Sequence, residues 1–281
     1  MSIHPQAIVH RRADLAKDVE VGPYSIIGEN VVIGEGTKVG PHVIIEGWTI
    51  IGKNNHIYPG VIMGTEPQDK KFKGEKSFLI IGDNNIIREY ATINRASGEE
   101  EKTKIGNNNM IMANVHIAHN CSIGNETALA NLVALSGYVT IEDQVVLSGF
   151  AGMHQFIRVG ELAMVGAFAK VGQDVLPYAL VDGSPAKVYG LNRVGIKRAN
   201  IPLQEEKELK RAFNLIYRSG LNLSQAKLKI SEELNQSRRI QHLLGFLEKS
   251  ERGICGFVRE KLQPRMSRDE RQRTENMSGS C

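Results

Sequence analysis

Residues 9–51 read VHRRADLAKDVEVGPYSIIGENVVIGEGTKVGPHVIIEGWTII, and an aliphatic residue returns at every sixth place. The series is Val9, Leu15, Val21, Ile27, Ile33, Val39, Ile45 and Ile51. It runs on in phase through Ile57 and Met63, resumes at Ile81, Ile87 and Ile93, and continues from Ile105 to Val171. Of the 28 places spaced by six between 9 and 171, 25 are aliphatic or methionine; only Asp69, Glu75 and Glu99 interrupt the column. Apolar residues fill about half of an ordinary chain, so chance does not produce this. Glycine follows the aliphatic residue twelve times, as at Gly22, Gly28 and Gly34. A helix, with its period near 3.6, does not hold a six-residue repeat over this length. A short strand with inward residues two apart, closed by a tight turn where glycine relieves strained backbone, does. Three hexads close a triangular coil of 18 residues, and coils stack about 4.8 Å apart through parallel ladders.

The pattern predicts a parallel β-helix over residues 1–190. Its hand is not written in the repeat, but proteins with this hexapeptide pattern wind left-handed, against the usual crossover rule. The three interruptions fall in polar segments, 64–79 (GTEPQDKKFKGEKSFL) and 95–103 (RASGEEEKT), which read as loops thrown outward. The hexads fade at Pro177. After Pro202 the spacing of Leu209, Phe213, Ile216 and Tyr217 predicts a helix stopped by Gly220. Ser224 is expected to open a second helix, and RIQHLLGFLEKS supplies a third. Residues 191–256 thus form a linker and a small helical domain, and the polar composition of 257–281 predicts a disordered tail.

Composition narrows the function. The chain has 281 residues and a net charge of +4, from 35 basic and 31 acidic side chains, too little for a basic nucleic-acid-binding patch. Cys121, Cys255 and Cys281 are too few and too scattered for a disulfide framework or a zinc finger. No apolar run approaches the length of a transmembrane segment, and the N-terminus lacks the apolar core of a signal peptide, so a cytoplasmic protein is expected.

Residues 18 apart stack on one edge, and one such column reads His119, Gly137, Gln155, Gln173. An imidazole titrating near pH 6.5 suits a general base. A glycine one coil away lets a substrate carbonyl approach its N–H, as an oxyanion site requires. His116 lies beside inward Ile117 and so points outward, and His154 follows inward Met153. Three histidines also admit a zinc site like that of γ-carbonic anhydrases, or exposed residues without function. Cys121, two places before Ile123, reads as packing rather than as a nucleophile.

At HIAHNC (116–121), GxxxxHQFxxxG (149–160), PQDKKFKGE (67–75), TINR (92–95) and GLNRVGIKR (190–198) the chain resembles the bacterial UDP-N-acetylglucosamine O-acyltransferases, which open lipid A biosynthesis. The resemblance covers nearly the whole chain. It implies a cytoplasmic homotrimer that moves a 3-hydroxyacyl group from acyl carrier protein to the sugar 3-hydroxyl of UDP-N-acetylglucosamine. No cofactor or metal is implied beyond the carrier's phosphopantetheine. His119 matches the catalytic base and Gly137 the backbone oxyanion donor. Asp69, Lys71, His116, His154 and Gln155 match residues that line the sugar-nucleotide site, and Asn192 and Arg198 match its nucleotide- and pantetheine-binding end. Ala167 matches the position that measures acyl-chain length.

Three departures stand out. Asn120 replaces an aspartate that orients the base in many relatives, and an amide contributes no charge to an imidazolium. Tyr138, counted among the substrate-binding positions, replaces a histidine beside the oxyanion glycine. Val194 stands where some relatives place a glutamate on the ribose. The N-acyltransferase later in the pathway shares the β-helix but adds an N-terminal uridine-binding domain, for which hexads beginning by Val9 leave no room. A coenzyme A-dependent acetyltransferase would lack the PQD loop and helical domain, and a non-catalytic scaffold would not need the His119 column.

Overall fold

The computed structural model describes residues 2–235 and 237–258. Two-residue strands recur from Ser2–Ile3 to Lys170–Val171, with longer strands beside the two insertions. Each pairs in parallel with the strand one coil away, as Ser2 pairs with Glu20 and Ile3 with Val21. The strands stack into three faces of 11, 9 and 8 strands, so the chain visits the first, second and third face in turn. The result is the left-handed parallel β-helix expected from the hexads. The sixth-place residues point inward: Ile45, Ile57, Ile87, Ile117 and Leu135 are fully buried in one continuous column. In the first coil, Ile3, Val9 and Leu15 remain half-buried, because no coil lies beneath them.

The glycines that follow the column do a different job from the one expected. Most of them, Gly22, Gly34 and Gly82 among them, are not at positive φ. A Cβ on Gly22 would stand 2.7 Å from the backbone nitrogen of Pro41, and one on Gly34 would stand 2.7 Å from the carbonyl oxygen of Gly52. These glycines permit coils to stack. The left-handed turn positions instead carry Tyr24, His42, Asn120, Tyr138, Phe150 and Phe168, whose side chains project from the corners.

Both insertions leave the prism at the corner between the second and third faces. The first joins strand Ile62–Thr65 to Phe78–Ile81; the second joins Thr92–Asn94 to Lys102–Ile105. The strands beside them therefore absorb residues at both ends of the first expected loop and at the far end of the second. At the far end, strand Ala179–Asp182 continues the first face, and Lys187–Leu191 folds back on it antiparallel.

Helices follow: α1 (Arg193–Arg198), α2 (Leu203–Tyr217), α3 (Leu223–Glu233) and α4 (Arg238–Glu248). The sequence reading missed α1 and started α3 late. Asn222, not Ser224, caps α3: its side chain accepts from Gln225 N–H, and Gln225 returns a bond to the Asn222 N–H. Gly220, at φ +78°, lies beyond the α2 C-cap Arg218 and turns the chain toward α3. The helices dock on the corner between the third and first faces. There Arg158 stacks its guanidinium 4.2 Å from the Phe246 ring centroid and pairs with Glu142 at 3.2 Å. His242 Nε2 meets Glu142 at 2.9 Å, and the Tyr178 hydroxyl donates to Glu161 at 3.1 Å. Phe257 bridges to Val188, so the ordered chain extends past 256; the expected tail from 259 onward lies outside the described residues.

Candidate active site

The corner between the second and third faces carries His119, Gly137 and Gln155 on successive coils, and the two insertions on the coils before them. Its regular turns are joined by backbone bonds: Tyr138 N–H donates to His119 C=O at 3.1 Å, and Phe156 N–H to Gly137 C=O at 3.2 Å. The imidazole of His119 lies against the backbone of Gly137. A Cβ added there would stand 2.6 Å from Cε1 and 2.7 Å from Nε2, so any side chain at 137 would displace the ring. Among the described residues nothing accepts the Gly137 N–H, and Gly137 is buried. Tyr138 sets its ring edge-on to His119, centroids 5.5 Å apart, and stacks on Phe156 at 4.8 Å.

The tautomer of neutral His119 follows from its neighbours. Asn120 Oδ1 accepts from the Ser97 N–H at 2.9 Å while Nδ2 donates to the Ser97 C=O at 3.1 Å. This pair of backbone bonds settles which end of the amide is oxygen. That oxygen is also 2.9 Å from His119 Nδ1, and an oxygen that only accepts requires Nδ1 to carry the proton. In the neutral imidazole Nε2 then holds the lone pair, and it lies beside Gly137. Asn120 therefore does part of an aspartate's work: it orients the ring without charge.

The insertions close over the same corner. Ser97 donates its hydroxyl to Asp69 at 2.8 Å, and Gly98 donates its N–H to Glu75 at 2.9 Å. The backbone N–H of Lys71 and the Ser97 hydroxyl together hold the Asp69 carboxyl below its usual range. Lys71 itself is exposed. At the root of the second insertion Arg95 is nearly buried, with 9% of its side chain exposed. Its guanidinium lies 5.1 Å from the Phe72 ring centroid and 5.9 Å from that of Trp48, and it donates to Gly64 C=O at 3.4 Å.

His116 stands on the second face, beside Thr92, whose hydroxyl lies 2.8 Å from its Nδ1. Burial, helped by neighbouring His119, lowers its proton affinity, which leaves it neutral at pH 7. His154 and Gln155 are exposed two coils further on. The Tyr138 phenol is pushed up by burial and by Asp69 and Glu101, so it stays protonated. Among the described residues no group of His, Cys, Asp and Glu is arranged to hold a metal ion. Cys121 is fully buried, its thiol pushed up to about 12 by burial and donating to Ser136 C=O at 3.2 Å, which fits packing.

Three expected site residues stand apart from this corner. Ala167 is exposed at the corner between the first and second faces, next to Phe168, so within one chain the second face separates it from His119. Asn192 spends its amide on structure, accepting from Gly195 N–H at the start of α1 and donating to Leu162 C=O at 2.8 Å. Arg198 is exposed in the last turn of α1. Among the described residues no contact joins Asn192 or Arg198 to His119. Sequence reasoning, for its part, assigned nothing to Ser97, Arg95 or Glu75. They sit in the insertions, where periodicity is lost; the quoted TINR turn ends on Arg95 and PQDKKFKGE on Glu75, but neither residue was given a role.

Comparison with known proteins places the chain. Residues 174–255 match the family model described as UDP N-acetylglucosamine O-acyltransferase, domain 2, and residues 30–65 and 102–137 match that of the bacterial transferase hexapeptide (six repeats). An acyl-[acyl-carrier-protein]–UDP-N-acetylglucosamine O-acyltransferase of Trichlorobacter lovleyi is 53% identical over 260 residues, 91% of this chain and 99% of the relative. The protein of the same name from Thermodesulfovibrio yellowstonii is 48% identical over 254 residues, 90% of this chain and 98% of its own. The crystal structure of the UDP-N-acetylglucosamine acyltransferase of Francisella novicida superposes with a TM-score of 0.88 at 41% identity, covering 90% of this chain and 94% of that one. With that likeness running through coil, insertions and helices alike, the chain is an acyltransferase and belongs to the UDP-N-acetylglucosamine O-acyltransferase family.

Proposed function

We propose that this protein transfers a 3-hydroxyacyl group from acyl carrier protein to the 3-hydroxyl of UDP-N-acetylglucosamine, the first step of lipid A biosynthesis. One observation carries the mechanism: the imidazole of His119 lies against Gly137, whose N–H has no acceptor among the described residues. Nε2 takes the proton of the sugar hydroxyl as its oxygen attacks the thioester carbonyl. The carbonyl oxygen gathers charge, and the Gly137 N–H donates to it. The tetrahedral intermediate then collapses, the carbon–sulfur bond breaks, and the imidazolium returns its proton to the departing thiolate. Asp69, held ionised by Ser97 and Lys71, is a hydrogen-bond acceptor for sugar hydroxyls; His116, His154, Gln155, Lys71 and Tyr138 line the approach. The step needs neither metal nor cofactor.

The outward residues of the first face support a homotrimer. Ile86, Met110, Ala128, Val146, Met164 and Leu180 form an apolar strip along successive coils. A neighbour seated on that strip would bring the Ala167 corner of one copy toward the His119 corner of the next, giving Ala167 its role as acyl ruler and Asn192 and Arg198 their substrate-end roles. No helix among the described residues is long and apolar enough to cross a membrane, which is compatible with work in the cytoplasm.

Purified protein given UDP-N-acetylglucosamine and a panel of 3-hydroxyacyl carrier proteins should form the 3-O-acyl product, with turnover intact after exhaustive chelation. Sedimentation should give three times 31.1 kDa. No product, zinc lost together with activity, or a monomer at micromolar concentration would each overturn its part.

A further inference from the structure

Ser97 is shared between the first insertion and the His119 corner. It is 6% exposed. Its hydroxyl reaches Asp69, its N–H and C=O are both held by the Asn120 amide, and the same Asn120 oxygen orients His119. Hydrogen bonds therefore run without a gap from Asp69 through Ser97 and Asn120 to the imidazole. We infer that Ser97 and Asn120 are a positioning pair that couples the sugar-nucleotide seat at Asp69 to the orientation of His119. The inference rests on the transferase reading above.

The chemistry of the amide is specific to this job. A carboxylate at 120 could accept from the Ser97 N–H and from His119, but it could not donate to the Ser97 carbonyl. Only an amide grips both backbone groups of Ser97 while orienting the ring. The second insertion is braced at further points, which keeps a displacement of Asp69 from being absorbed by loose chain. Asn120 N–H donates to Thr103 Oγ1 at 2.8 Å, Gly98 N–H donates to Glu75, and the Ser77 hydroxyl donates to Ala96 C=O at 2.5 Å.

Steady-state kinetics across a pH series tests the pair in the full-length protein, with UDP-N-acetylglucosamine varied at fixed 3-hydroxyacyl carrier protein. Ser97→Ala should raise KM for the sugar nucleotide about three- to tenfold, the net worth of one ordinary hydrogen bond, with little change in kcat or in the pH profile. Ser97→Thr, which keeps the hydroxyl, should restore KM. Asn120→Asp places a carboxylate beside the imidazole, favours its protonated form, and should move the acidic limb of kcat/KM to higher pH. Because the links are in series, the loss in the Ser97→Ala/Asn120→Asp double variant should fall short of the product of the single losses. Unchanged KM in Ser97→Ala, failure of Ser97→Thr to restore it, or losses that simply multiply would each overturn the coupling. Should Ser97→Ala not fold, Ser97→Cys, a far weaker donor, carries the same arm. A parent protein without transferase activity would instead remove the reading on which the pair rests.

Discussion

Two corners of the same prism are built from the same hexads and do opposite things. At the corner between the third and first faces, buried amides stack in register. Asn55 Oδ1 accepts from the Asn85 N–H, Asn85 Oδ1 from the Asn109 N–H, and Asn109 Oδ1 from the Thr127 N–H. Each turn satisfies the next, and the corner serves as a fixed seat for α4. At the corner between the second and third faces the repeat is broken twice by insertions, and the hydrogen bonds run among unlike side chains: Asp69, Ser97, Asn120 and His119. A ladder that repeats gives rigidity by pairing its buried amides with one another. A corner that departs from the repeat leaves an imidazole nitrogen and a backbone N–H unused, and these are the groups that chemistry can employ.

The sharpest way to separate the corners is His119→Ala. Removing a general base should lower kcat by about 10²–10⁴-fold. The side chain is outside the aliphatic column, so the melting temperature should stay near the parent's. More than about a tenth of the activity surviving would return the base to another residue. The converse variant is Asn85→Ala, which orphans the Asn109 N–H and the Gly106 C=O inside the other corner. It should cost about 2–3 kcal/mol in denaturant unfolding while kcat holds. A kinetic defect without loss of stability would contradict the division of labour.

A smaller, graded effect is expected at a third corner. Ala167→Met narrows the space beside Phe168 and should shift preference toward shorter 3-hydroxyacyl chains, by the roughly 1–3 kcal/mol that methylenes command in an apolar groove. An unchanged chain-length profile would put the ruler elsewhere.

The smallest effect concerns pH and the seat of α4. The bond to Glu142, opposed by burial, raises the proton affinity of His242, and Glu161 acts in the same direction. A raised folded value means that the pairing stabilises fully below the ordinary imidazole range, about pH 6.5, and fades as pH rises through the folded value. The melting-temperature gap between parent and His242→Ala should thus be widest below about pH 6 and narrow toward alkaline pH. A gap that widened with pH would reverse the sign of this contact.

Much of this was legible in the residues, and the illegible parts have physical causes. His119 and Gly137 stack because the coil length is a multiple of the hexad, so counting alone set them one above the other. The start of α3 was misread because Ser224 and Asn222 both suit a cap, and the reciprocal bond with Gln225 decides between them. The glycine column was read for its φ angles, whereas neighbouring coils demand it by contact. Ser97 carried no signal, since an insertion has no period to read.

The sequence by itself determined the coil, its inward column, the place of both insertions and the edge on which His119 rises, because each follows from a period of six and its interruptions. Only the tertiary structure decided what the insertions touch. Their docking on one corner, the tautomer of His119 and the path from Asp69 to the imidazole depend on side chains 23 and 28 residues apart meeting across coils. Such meetings depend on the three-dimensional path of an irregular loop, and no local pattern in the chain encodes it.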